Sequence, residues 1–183
     1  MFDAFDVLGI ERRLTLSDEY LRERYQTLSK TRHPDAQGSE ALFRELTEAY
    51  ELLRSPGRRL RHWLEVGGVE GDPRGTIDAT LVSIFGEVGA ALQHADAFIR
   101  RREAARTALS RALLEREAGV RRAQLEAALA RVEAQIAAQL DDFGRLEEDG
   151  QQMAADEAWT AARNLGFLEK WRAQLRERFG GLF

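Results

Sequence analysis

The sequence predicts an all-α protein, and three observations predict it. Apolar residues recur at three- and four-residue spacing along most of the 183 residues, the period of a helix with one face turned inward. Only 3 prolines interrupt that pattern. Beyond Thr76 the chain is rich in Ala, Arg, Glu and Leu, all good helix formers. With 44% hydrophobic and 32% charged residues, the composition suits a folded, helix-rich chain rather than a disordered one.

Phe2, Phe5, Leu8 and Ile10 begin a short apolar segment that Gly9 interrupts, which predicts a brief helix ending in a turn. Ser17 is the expected N-cap of a second helix, with Asp18 and Glu19 in its first turn and Tyr20, Leu21, Tyr25 and Leu28 carrying the period. Pro34 lacks an amide donor and disfavours helical geometry at His33, so this helix is expected to end near Arg32, with a loop from His33 to Gly38. Ser39 caps a third helix in which Leu42, Phe43, Leu46, Ala49, Tyr50 and Leu53 keep the spacing up to Ser55-Pro56. A shorter fourth helix is expected from about Arg58 to Val66.

The stretch Gly67 to Gly75 concentrates the helix breakers and is the expected domain boundary. After it, Ile77, Leu81, Ile84, Phe85, Val88 and Leu92 open a long helical region whose last helix is expected from about Met153 to Phe179. Gly119 and Asp149-Gly150 are the candidate breaks, although Gly119 lies within strong helix formers that can tolerate it, and three helices in an elongated antiparallel bundle are the favoured arrangement. Val120, Leu125, Leu129, Val132, Ile136 and Leu140 form a heptad-like stretch, which leaves open one seam of a longer coiled coil instead.

Composition also excludes functions. With no cysteine, disulfides, thiol nucleophiles and thiolate metal sites are ruled out, and a reducing cytoplasm fits. No run approaches the roughly 18 apolar residues of a membrane span, and no export signal is legible, so no membrane partner is expected. A formal charge of −4, with neither half basic, gives no general attraction to nucleic acid. His33, His62 and His94 lack metal-ligand spacing, no glycine-rich phosphate loop follows a strand, and no nucleophile sits beside an evident base. Neither an enzyme nor a cofactor protein is expected. Arg100-Arg101-Arg102 reads as a solvated helical face.

Three segments carry a family resemblance: Phe5-Asp6-Val7-Leu8-Gly9-Ile10, then Arg24 through Arg32 leading into His33-Pro34-Asp35, then Ala49-Tyr50-Glu51-Leu52-Leu53. Together they resemble a J-domain over residues 1–66, with the tripeptide in the loop between two amphipathic helices. The resemblance implies that this loop and the helix before it dock onto a DnaK/HscA-type ATP-dependent chaperone and promote its ATP hydrolysis. A rigid polar tip suits that role: Pro34 restricts the backbone, Asp35 offers a carboxylate to an arginine fork, and His33 donates or accepts. Arg22, Gln26 and Lys30 share one face at four-residue spacing as further docking candidates, with Tyr25 beside them.

Glu157 through Trp171, especially Leu165, Phe167-Leu168 and Lys170, resembles the last helix of HscB-type co-chaperones of iron-sulfur cluster assembly, and Arg58 through Leu64 is similar to their connecting helix. That resemblance implies a J-domain at 1–66, a glycine-rich linker at 67–75 and a client-binding helical bundle at 76–183. The client it implies is the iron-sulfur scaffold protein, held on Leu81, Val82, Ile84 and Phe85 of the first bundle helix and Phe167 of the last. The Arg/Ala/Glu stretch from about Asp96 to Arg122 departs from that family's pattern. The residues leave open another client, self-association of the bundle, or a structural coiled-coil adaptor without chaperone docking.

Overall fold

The computed structural model describes residues 2–32, 39–149 and 155–182, and among these every regular element is a helix. In chain order they are α1 (Ala4–Leu8), α2 (Asp18–Arg32), α3 (Glu40–Arg54), α4 (Pro56–Val66), α5 (Ala79–Ala104), α6 (Ala108–Asp141), α7 (Phe143–Asp149) and α8 (Ala155–Gly180). None is long and apolar enough to cross a membrane. The chain divides into two compact units, Met1–Thr76 with Gln139–Gly166, and Ile77–Ala138 with Phe167–Phe183.

In the first unit local chemistry sets the helix ends. The Asp3 carboxylate accepts from the Phe5 amide at 2.9 Å, and Gly9 at φ 60° closes α1 while the Ile10 amide donates to the Phe5 carbonyl. Ser17 accepts from the Tyr20 amide ahead of α2, and Ser39 accepts from Ala41 ahead of α3. Helix α4 starts at Pro56 rather than near Arg58. Ser55 caps it through the Arg58 amide, and proline is tolerated in a first turn because its missing N–H has no helical acceptor there. Helices α1, α2 and α4 pack on α3 around a core that includes Phe5, Leu8, Leu21, Leu46, Leu53 and Leu60.

Segment 67–75, expected as a linker, is tied within this unit. The Trp159 indole N–H donates to the Val69 carbonyl at 3.2 Å, and Arg163 donates to the Thr76 carbonyl at 3.0 Å and to the Asp72 carbonyl. Gly71 lies against the Trp159 ring, where a Cβ has no room. Arg59 is buried and donates to the carbonyls of Leu16 and Leu53, its guanidinium 5.8 Å from the centre of the Phe143 ring. Glu147 of α7 accepts from the amides of Leu14 and Thr15 and from the Thr15 hydroxyl.

The second unit holds α5, most of α6 and the second half of α8. Asp78 caps α5 through the Thr80 amide at 2.7 Å, and that bond, with a second from the Thr80 hydroxyl, holds its carboxyl below the usual carboxylate range. Of the two readings open at Gly119, a break or a tolerated glycine, the structure shows the second: Gly119 lies inside α6. One glycine costs a helix about 1 kcal/mol, which the surrounding helix formers outweigh. The chain turns instead at Ala105–Thr107, where Thr107 and Ser110 each accept from the other's amide in a reciprocal cap. Ion pairs link all three helices: Arg131 to Glu87 at 2.6 Å, Arg176 to Glu133 at 2.7 Å and Arg178 to Asp96 at 2.5 Å. The short α7 between the long helices is an element the periodicity did not predict.

The heptad-like seam of α6 is confirmed in part. Leu125, Val132 and Ile136 are buried, whereas Val120 is exposed and lies on another face.

Candidate functional site

In the first unit, α2 presents Arg22, Gln26 and Lys30 to solvent on one face. The helix offers fewer free cations than its sequence implies. The Arg24 guanidinium donates to the Leu8 carbonyl at 2.9 Å and to Gly9 at 3.1 Å, and Arg32 donates to the Val7 carbonyl at 3.1 Å. Both satisfy carbonyls at the end of α1, which a five-residue helix leaves without internal donors. Arg22 and Lys30 thus remain as outward charges, screened over about 8 Å at physiological ionic strength.

Tyr25, grouped with the docking face on sequence grounds, is half-buried. Its ring stacks on Tyr50 with centroids 4.4 Å apart, and its hydroxyl lies 3.3 Å from that of Thr47. It braces α2 on α3 and leaves only part of its surface open to a contact. His33, Pro34 and Asp35 lie outside the described residues, within the connection between Arg32 and the Ser39 cap.

In the second unit the five client candidates separate. Leu81 and Ile84 are buried, at 1% and 3% exposure, and have no surface to offer a partner. Their i, i+3 spacing is that of an inward stripe on α5. Val82, Phe85 and Phe167 are exposed, at 60%, 59% and 43%. Phe85 and Phe167 both lie against the buried indole of Trp171, with ring centroids 5.8 and 6.2 Å from it, each tilted by 45°. Trp171 is therefore the floor on which two outward rings from α5 and α8 meet, and sequence reasoning missed this role. Its signal was the i, i+4 spacing from Phe167.

The comparisons bear on both regions. Residues 3–62 match the family model for the DnaJ domain. The J-domain likeness is thus shown for residues 3–62. Over 60 residues the chain is 47% identical to the chaperone protein DnaJ of Latilactobacillus sakei, a stretch covering 31% of this chain and 15% of that relative. The DnaJ of Thermoplasma acidophilum is 33% identical over 81 residues, covering 42% of this chain and 19% of the relative. The chain thus spans less than a fifth of the length of these relatives, and the likeness concerns the J-domain region.

Two solved structures extend the match in fold. Chaperone HscB from Vibrio cholerae superposes with a TM-score of 0.62 at 21% identity, covering 96% of both chains. The human co-chaperone protein HscB gives 0.62 at 18% identity, covering 96% of this chain and 81% of that one. The chain therefore has an HscB-like, all-α fold along nearly its whole length.

Proposed function

We propose that this protein is a co-chaperone that docks on a DnaK/HscA-type chaperone through His33-Pro34-Asp35 and the outer face of α2, and carries a client on the aromatic patch of its second unit. The observation that carries the docking half is the DnaJ-domain match over residues 3–62, which includes the tripeptide, together with an exposed Arg22-Gln26-Lys30 face on the helix leading into it. ATP hydrolysis belongs to the chaperone. Exposed charges of this kind steer encounter and register more than they add affinity.

The client half rests on Phe85 and Phe167. Two exposed aromatic rings on a buried indole form a small apolar anchor of the sort that dominates interface energies, each truncation costing about 1 to 3 kcal/mol of binding. The iron-sulfur scaffold protein is the client proposed, on the HscB-like fold and the sequence resemblance of α8.

Steady-state ATPase assays with purified DnaK-type and HscA-type chaperones test the reading. His33→Gln is expected to abolish stimulation while leaving helicity and melting temperature nearly unchanged. Full stimulation by the variant rejects the docking assignment, and no stimulation by the parent protein leaves the structural adaptor as the better description. Scaffold binding by titration calorimetry tests the client half. The Phe85→Ala/Phe167→Ala variant should lose binding at least tenfold, and undiminished binding rejects the patch.

A further inference from the structure

Helix α6 carries two apolar series on opposite sides, and only one is buried. Leu125, Ala128, Val132 and Ile136 form the inward series. The other begins at Leu109, Leu113, Arg116 and Val120, in steps of four, three and four, and continues in the same alternation through Ala123, Ala127, Ala130, Ala134 and Ala137. All nine residues are exposed, with Leu109 at 73%, Leu113 at 64% and Val120 at 55%. Alternating steps of three and four are the 3.5-residue period of a coiled-coil seam. On a straight helix of 3.6 residues per turn this series falls across the helix from the buried one. Two leucines and a valine aligned on such a face are apolar surface awaiting a helix.

Two gradients along α6 identify the occupant. The seam is bulky at its start and small at its end. Charge changes in step: between 108 and 122, four arginines (Arg111, Arg116, Arg121, Arg122) exceed two glutamates, whereas between 123 and 141, Glu126, Glu133 and Asp141 exceed the single Arg131. A second α6 turned end for end meets both gradients with their complements. With Leu113 set opposite Ala134 of the second copy, Val120 faces Ala127 and Leu109 lies within one residue of Ala137. Arg116, the one polar member of the seam, then falls between Glu126 and Glu133 of the second copy. Parallel pairing sets arginines against arginines and bulky residues against each other, which like-charge repulsion opposes.

We propose that α6 is a self-association surface on which a second copy of this chain packs antiparallel, an isologous contact along the Leu109–Ala137 seam. The proposal stands independently of the co-chaperone reading and uses none of its residues.

Sedimentation velocity of the full chain over a concentration series tests it. A species of twice 20.7 kDa is expected to grow with concentration and to weaken with added salt. Leu109→Glu/Leu113→Glu should reduce association at least tenfold with unchanged circular dichroism, since both side chains are exposed. The chain has no cysteine, so engineered thiols report the register. Leu113→Cys/Ala134→Cys should give a disulfide-linked dimer on oxidation, and Leu113→Cys alone should not. A monomer at every concentration, as an acidic helix from another protein as occupant would give, overturns the proposal. So does a dimer that survives the double glutamate variant, or efficient cross-linking of Leu113→Cys alone.

Discussion

Each of the two compact units is stabilised internally by different means. In the first, a few polar side chains reach across to main-chain groups: Arg59 to Leu16 and Leu53, Glu147 to Leu14 and Thr15, Arg163 to Thr76, Trp159 to Val69 and His62 to the Ala4 amide at 3.0 Å. Its loops are long relative to its helices, and their backbone groups need partners that neighbouring helices do not supply. In the second, long helices satisfy their own backbones. What joins them is apolar packing plus ion pairs on the surface, such as Arg131 with Glu87 and Arg176 with Glu133. The first unit therefore depends on a few specific bonds, and the second on apolar volume spread along three helices.

The sharpest way to break this comparison is to remove matched groups. Phe98 of α5 is 1% exposed, so Phe98→Ala deletes core volume from the second unit and is expected to cost about 3 to 5 kcal/mol, read by urea denaturation. Arg59→Ala in the first unit removes two bonds to carbonyls and the contact with Phe143, and should cost about 2 to 4 kcal/mol although no apolar side chain is lost. A negligible cost for Arg59→Ala would mean that the first unit is held by its core alone.

Exposed rings sharpen the contrast within the second unit. Phe85→Ala/Phe167→Ala should change stability by under about 1 kcal/mol, well below the Phe98→Ala cost, because both rings already face water. A large drop in melting temperature would assign these rings to packing with Trp171.

The smallest effect expected is electrostatic. Glu117 accepts from Arg101 and from Arg121, and these bonds hold its carboxyl below the usual glutamate range. A lowered carboxylate pKa stabilises the folded state above the unfolded value, and the contribution disappears as pH falls through the folded value. The melting temperatures of the parent protein and Glu117→Gln should thus differ slightly at neutral pH and converge in acid. An offset that persists unchanged into acid would remove the ion pairs as its cause.

Much of the molecule was legible in its sequence because it rests on local rules. Ser17 and Ser39 are caps that any reader of helix starts would place, and Gly9 marks a left-handed residue closing a short helix. The tripeptide and its flanks carried the J-domain likeness because that signal is a linear motif. The turn between α5 and α6 is also written locally, in the reciprocal cap of Thr107 and Ser110. Helix α7 had too few residues to show a period.

Side-chain fate is another matter. Arg22, Arg24 and Arg32 are the same residue type on one helix, and only the position of α1 assigns two of them to its carbonyls and leaves one facing water. Leu81, Val82, Ile84 and Phe85 are all apolar neighbours on α5, and only the tertiary packing buries Leu81 and Ile84 and sets Phe85 on Trp171. Helix type, helix ends and the family motif follow from interactions within a few residues, so the sequence by itself determined them. Which charge is free and which ring is exposed depends on groups far along the chain, whose positions the short-range pattern does not encode, and there the tertiary structure decided.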